Sequence, residues 1–272
     1  MGRRSRPELK SAAEVALMRE AGLIVADVLA ACAAEAAPGV STHDLDVLAR
    51  DLIADAGALP SFLGLYGFPA HACISVDDQV LHGIPSADTV LREGSVLKVD
   101  VGAIVDGFHA DAALTVPVGE AAVEAVALSK ATEAALWAGL VVVRAGARLG
   151  EVGAAVQASI DGRYGLLREF CGHGIGRALH EAPDVWNTAG QSGGRLKLAV
   201  GHVLAIEPMA TIGEPDVHEL DDGWTVVTDS GAVGAHWEHT VAVTPTGPWV
   251  LTARDGGAEQ LAAAGVAAGG PW

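Results

Sequence analysis

Apolar positions along this chain alternate between two spacings, and each change of spacing marks a switch between helix and strand. From Glu8 to Ala36 they fall at helical intervals (Val15, Leu17, Met18, Leu23, Ile24, Val28, Leu29), and the run stops at Pro38-Gly39. Ser41-Thr42 supply a cap for a second helix to about Ala56, with Asp44 in the first turn, where negative charge is favourable. Between Ala70 and Val118 the spacing becomes that of strands. VLKVDVGAIV and GFHADAALTVPV read as two strands joined by Asp106-Gly107, a dipeptide that tolerates the left-handed backbone of a tight hairpin. A second helical pair is expected over about Glu120–Val143 and Leu149–Asp161, with Ala145-Gly146 between. Strands are expected around His173 and at Ala199–Met209, Gly223–Thr228 and Glu238–Thr244.

Two helices followed by strands, twice over, suggest two similar halves, although no residue-level repeat is visible. Residues suited to one site run from Asp100 to Glu238, so both halves must build it. The pattern predicts an α/β (α+β) chain with a single domain over residues 8–252. Residues 253–272, which include GGAEQLAAAGVAAGGPW, are small and Gly-rich and read as a flexible tail.

Composition narrows the setting. Half of the 272 residues are hydrophobic, enough for a sizeable core. No apolar run approaches the ~20 residues of a membrane span. The start MGRRSRPELK lacks the apolar stretch of a secretory signal, and Arg6 stands where a myristoylation motif needs Ser or Thr. Cys32, Cys73 and Cys171 are odd in number and lack CxxC spacing, which argues against a disulfide scaffold and favours a reducing, cytoplasmic setting. A net charge of −17 offers no basic footprint for DNA. Neither DNA nor a membrane is an expected partner, and the chain is expected to be a monomer.

Five residues carry the chemistry: Asp100, Asp111, His173, Glu207 and Glu238, in VLKVDVG, HADAALTV, CGHGIGRALHEAP, AIEPM and WEHT. Four carboxylates and one imidazole are hard oxygen and borderline nitrogen donors, suited to divalent manganese, iron, cobalt or zinc. Crowded together, the carboxylates would repel and some would protonate; two divalent cations would balance them. Two-metal sites commonly perform hydrolysis. Asp100 and Asp111 should come close to opposite each other across the hairpin. His173 sits among glycines that would let backbone approach an ion or substrate. Glu207 ends an apolar run and needs a partner if buried. The G-x-G-x-G spacing at His173 does not fit a dinucleotide fingerprint, no HExxH helix occurs, and no G-x-S-x-G elbow is present. His82 and His180 are each closely followed by proline, as in rigid loops.

The segments CISVDDQVLHGIP, LKVDVGAIVDGFHAD, CGHGIGRALHEAP, AIEPM, DGWTVVT and EHT, in this order and spacing, resemble those of type I methionine aminopeptidases, from about Glu8 to Leu251. The resemblance implies the pita-bread fold, two pseudo-symmetric α/β halves around a curved, mostly antiparallel sheet. It implies a dinuclear centre at the five residues above, with Glu207 also handling the proton of the attacking water. His180 would hydrogen-bond the scissile carbonyl oxygen, and His82 the amide nitrogen of the second residue. Motif alignment puts Phe62, Leu65, Phe68, Cys73, Leu179 and Trp224 around the methionine side chain. The substrate the resemblance implies is the initiator methionine of nascent chains with a small second residue, with the ribosome as one place of encounter; the chain's own Met1-Gly2 start fits it. The acidic charge offers little attraction to ribosomal RNA, and the basic start Arg3-Arg4-Arg6 is only a local exception. Departures from the usual family pattern fall at Leu65-Tyr66-Gly67-Phe68-Pro69, Asp77, Ala110-Asp111-Ala112 and Leu179, and none alters a proposed ligand.

An X-Pro aminopeptidase or prolidase-like enzyme would use the same fold and metals. Those enzymes usually carry a large additional N-terminal domain, whereas about 80 residues precede His82 here, and the last glutamate stands in EHT rather than EDT; both favour the methionine type. The gap from His180 to Glu207 is too short for the helical insertion of a type II enzyme. A non-catalytic binding module of the same fold is the remaining alternative, opposed by the complete ligand set.

Overall fold

The computed structural model describes residues 7–160 and 162–272. The Met1-Gly2 terminus, the basic start through Arg6 and Asp161 lie outside the described residues. Helix α1 spans Ala12–Glu35 and begins four residues later than its apolar pattern suggests. Ser11 is the reason. Its hydroxyl accepts from the Glu14 N–H while the Glu14 carboxylate accepts from Ser11 N–H, a reciprocal cap that fixes the first turn. Just before it, Lys10 is occupied elsewhere: its N–H donates to Gly201 O at 2.7 Å and its ammonium pairs with Glu181 at 2.5 Å. Helix α2, Thr42–Asp55, opens with the same device between Ser41 and Asp44.

In chain order the strands β1 Leu59–Pro60, β2 Ala72–Val76, β3 Gln79–Leu81, β4 Val96–Val105 and β5 Phe108–Pro117 follow. Then come helices α3 Val123–Val141 and α4 Leu149–Ile160. The second set of strands is β6 Gly165–Leu166, β7 Cys171–Gly174, β8 Glu181–Trp186, β9 Val203–Ile206, β10 Met209–Thr211, β11 Val217–Glu219, β12 Val226–Thr228, β13 Gly234–His236, β14 His239–Val243 and β15 Pro248–Val250, before a last short helix, α5 Ala258–Ala263. The single strand expected over Ala199–Met209 is two, β9 and β10. Pro208 lacks an N–H for the ladder, and the chain leaves it at Glu207.

All strand pairs are antiparallel. The first half is a sheet ordered β1-β4-β2, with β5 on β4, covered by α1 and α2. The second is a five-stranded sheet, β15-β14-β9-β7-β8, covered by α3 and α4. Two small sheets, β13-β10-β6 and β11-β12-β3, lie beside them. Each half has its own apolar core, with Val25, Leu45, Ile74, Leu97 and Val101 in one and Leu136, Leu140, Val156, Leu204 and Val241 in the other. This is the two-half pita-bread arrangement.

The halves are joined along β5. Glu238 N–H donates to Ala113 O at 2.9 Å and Ala113 N–H returns to Glu238 O at 3.4 Å. The Thr115 hydroxyl donates to His236 O and accepts from His236 N–H, and Asp111 N–H donates to the Thr240 hydroxyl. Buried backbone groups require partners, and here each half supplies them to the other.

The C-terminal segment corrects the expectation of a flexible tail. Leu261 of α5 is fully buried in the second core, and Val266 and Ala268 pack against it. Gly269 N–H donates to Pro248 O at 2.7 Å, and the Arg19 guanidinium binds the carbonyls of Val250, Leu251, Ala253 and Arg254. The small side chains that suggested mobility let the segment lie close to β14 and β15. Leu261→Ala should therefore cost about 2–5 kcal/mol of stability, read as a lower urea midpoint. A mobile tail would show no change.

Candidate metal centre

Asp100 and Asp111 reach the site from the β4–β5 hairpin. Asp106 and Gly107 both hold positive φ (47° and 80°), the backbone of a two-residue turn that matches strand twist. That turn sets the register at Gly102↔Asp111 and Asp100↔Ala113. The two aspartates are thus diagonal neighbours, offset by one pleat, rather than directly opposed. With side chains alternating every second residue, both face the same side. The diagonal leaves room between the carboxylates, which direct opposition would not.

His173 lies on β7. Its Nδ1–H donates to Gly174 O at 3.0 Å, turning Nε2 toward the carboxylates. That second hydrogen bond is the usual way a ligating histidine is oriented. Nε2 sits 3.5 Å from Asp111 Oδ2 and 3.6 Å from Glu207 Oε1. The neighbouring glycines have another purpose than approach to an ion. A Cβ on Gly172 would strike Ala205 O of β9, and one on Gly174 would strike Ala182 O of β8. They let three strands close around the histidine. Glu207 follows β9, where Asn187 Nδ2 donates to its carbonyl at 3.0 Å, and Glu238 precedes β14.

Donor atoms of Asp111, His173 and Glu238 all lie within 4.8 Å of one another, and all three residues are buried. Asp100 Oδ1 and Glu238 Oε1 are buried without any hydrogen-bond partner. Orphaned carboxylate oxygens of this kind are costly unless a cation takes them up. The residues present fit one or more divalent ions, which Asp111, His173 and Glu238 could hold, with Glu207 and Asp100 lining the same cavity.

The electrostatics of the metal-free site follow from crowding. Burial, then the charges of Asp111 and Glu207, push the Asp100 carboxyl well above its usual range. Burial and the same neighbours do likewise to Glu238, and burial with Asp111 brings Glu207 to about 8. Burial opposes the charge on His173, yet Asp111 and Glu207 outweigh it and hold the ring up to about 9. Protons therefore stand in for cations. Partial desolvation of its ring, then the charge of His173, brings His180 down to about 4 although the residue is partly open to solvent, and burial also lowers His82. Both rings are neutral at pH 7.

All five donors open onto one cavity of about 150 Å³ whose other walls are Phe62, Leu65, Tyr66, Phe68, Cys73, His82, Leu179, His180 and Trp224. Every residue expected around the methionine side chain is among them. Trp224 meets Phe68 edge to face at 5.0 Å, and His180 meets His173 edge to face at 4.5 Å. His82, His173, His180 and Glu207 also border a wider groove of about 660 Å³. Sequence reasoning missed two residues. Tyr66 stacks on His180 at 5.8 Å, and its one signal in the sequence is a departure from the usual motif. His236 places Nε2 3.8 Å from Glu207 Oε2, and its one signal was its place two residues before Glu238.

A buried carboxylate–imidazole cluster at the base of an apolar cavity suits metal-dependent hydrolysis, and relatives carry the same assignment. The model of metallopeptidase family M24 matches residues 16–245. Methionine aminopeptidase 1 of Mycobacterium tuberculosis is 46% identical over 258 residues, covering 92% of this chain and 96% of that protein. The methionine aminopeptidase of Clostridium perfringens is 44% identical over 245 residues, covering 90% and 98%. The crystal structure of methionine aminopeptidase from Thermotoga maritima superposes with a TM-score of 0.88 at 35% identity, covering 91% and 99%. The chain belongs to metallopeptidase family M24, in its type I methionine aminopeptidase branch. Prolidase from Pyrococcus furiosus, at 20% identity and a TM-score of 0.71, shares the fold.

Two outcomes test this electrostatic picture. Groups whose folded pKa is raised hold extra protons, so their contribution is full below the unfolded pKa of ~4.3. It is lost as pH rises through the folded value, about 8 for Glu207. Thermal scans of metal-stripped protein should show the unfolding temperature falling between these limits. Adding Mn²⁺ at pH 8 should restore it. In the same scans, metal-free Glu238→Gln should unfold at a higher temperature than metal-free wild type, because the cost of keeping a buried carboxyl from ionising among acidic neighbours is gone, and should gain less from Mn²⁺. Equal gains in both proteins would contradict the assignment of Glu238.

Proposed function

We propose that the protein removes the N-terminal methionine from polypeptides by metal-dependent hydrolysis, acting on new chains with a small second residue. One observation carries the reading: the donor cluster and the apolar, aromatic walls share one cavity. A thioether packs favourably against rings, which suits Trp224, Phe62 and Phe68 to a methionine side chain.

The cations, proposed as two divalent ions (Co, Mn, Fe or Zn), would be held by Asp100, Asp111, His173, Glu207 and Glu238. When bound they supply a nucleophile at neutral pH, by drawing the pKa of water from ~15.7 toward ~7, and Lewis acidity. Glu207, at the boundary of cavity and groove, takes up a proton and returns one to the departing amine. His180 is neutral and so has one N–H, which it donates to the carbonyl oxygen as negative charge develops there. His82 contacts the amide nitrogen of the second residue. The wider groove admits the following residues, and the smaller cavity, with its apolar and aromatic walls, suits the first side chain. A cytoplasmic monomer meeting nascent chains is the setting this reading proposes.

Protein loaded with Mn²⁺ should release methionine from Met-Ala-Ser and nothing from Ala-Pro-Ser, followed by chromatography of the products. Release from the proline peptide alone would transfer the reading to an X-Pro aminopeptidase. His180→Ala should lower kcat by about 10²–10³-fold, the usual loss of one donor to a developing oxyanion, with metal content unchanged.

A further inference from the structure

Among the described residues, the imidazole of His236 is a buried polar group next to the metal centre that the proposed reaction does not use and whose ring nitrogen is unmatched. The side chain is 2% exposed, and Nε2 has no hydrogen-bond partner. Its backbone is held on both sides. β13 pairs with β10 through Met209↔His236, and the Thr115 hydroxyl binds both His236 N–H and His236 O. An imidazole fixed this way, with an unmatched ring nitrogen, needs a reason to face where it does. What it faces is Glu207: Nε2 is 3.8 Å from Oε2, while the other oxygen, Oε1, lies 3.6 Å from His173 Nε2.

We propose that His236 is a positioning residue for Glu207: its Nε2–H donates to Oε2 and thereby reserves Oε1 for the cluster of Asp111 and His173. The inference rests on the metallopeptidase reading above. A carboxylate at the end of a side chain turns easily about its last torsion, so a small rotation of Glu207 closes the remaining gap. The donor is present in the neutral Nε2–H tautomer and equally in the doubly protonated ring, so the contact does not depend on the charge of His236. Its effect is directional. Without a donor on one oxygen, Glu207 could present either oxygen, or both, to a cation, and the oxygen that must exchange a proton would no longer be defined. Outer partners of this kind orient ligating groups generally.

His236→Gln retains an N–H donor; His236→Met fills the space without one. Mn²⁺ titration calorimetry and steady-state cleavage of Met-Ala-Ser should separate them. His236→Met should weaken Mn²⁺ binding about 10- to 100-fold and lower kcat about as much with KM little changed, while His236→Gln recovers most of both, in the range typical for partners of metal ligands. Equal losses in the Gln and Met variants would reduce His236 to a packing role and overturn the proposal, as would a Met variant that matches wild type. Should the Met variant not fold, ¹⁵N-histidine NMR of the wild type with Zn²⁺ answers the same question. An Nε2–H proton shielded from exchange, and moved by Glu207→Gln, is expected; a rapidly exchanging one refutes the contact. Wild-type protein that neither binds Mn²⁺ nor releases methionine would instead remove the functional reading, and this inference with it.

Discussion

Four carboxylates line one cavity, and their mutual repulsion is the constraint to which the surrounding structure answers. Such a cluster is tolerable only if positive charge is supplied, by cations or by bound protons. His173 contributes one answer, with its Nδ1 committed to a backbone carbonyl and its Nε2 given to the carboxylates. The orphaned oxygens of Asp100 and Glu238 mark where another is required. The fold thus stores an unfavourable arrangement that becomes favourable on loading. Affinity for metal and instability without it are two sides of one free-energy difference.

The cost of that arrangement is met by the rest of the fold. Each half has a large apolar core of its own, and reciprocal hydrogen bonds between β5 and the segment around His236–Thr240 tie the halves together at the cluster. The cluster's aspartates on β4 and β5 belong to one half, and His173, Glu207 and Glu238 to the other. Neither half alone holds a complete donor set. The apolar side of the cavity has a different origin: loops around Phe62–Phe68, Leu179–His180 and Trp224 wall it, so pocket shape can vary while the cluster stays fixed.

Much of this was legible in the chain. Ligands sit at strand ends or on a hairpin whose turn dipeptide is explicit, and the apolar runs beside them leave little doubt about burial. Register was less legible. Alternation fixes which face a side chain takes, but the step between direct and diagonal pairing of Asp100 and Asp111 depends on the exact turn. Leu261 was hidden because one apolar residue among alanines and glycines gives no periodic signal; only β14 and β15 show what it packs against. The glycines around His173 were visible, but the strands they admit come from distant segments. Lys98 was hidden for a related reason. It sits in an apolar strand, is 2% exposed, and donates to the carbonyls of Asp77 and Val96. Burial draws it down to about 7, and Asp77 and Asp78 act against that. Asp77, a departure from the usual family pattern, thus has a cationic neighbour that pattern alone did not reveal.

The two-residue turn at Asp106-Gly107 works as a ruler for the centre. Strand side chains alternate faces, so one residue added to or taken from that turn would carry Asp111 to the far side of the sheet and bring Ala110 or Ala112 into its place. The composition of the cluster could be untouched and the cluster still dismantled. For this protein, the length of one tight turn is as much part of the ligand set as the ligands, and tolerance of insertions must lie elsewhere, in loops such as Gly190–Gly194 that no donor depends on.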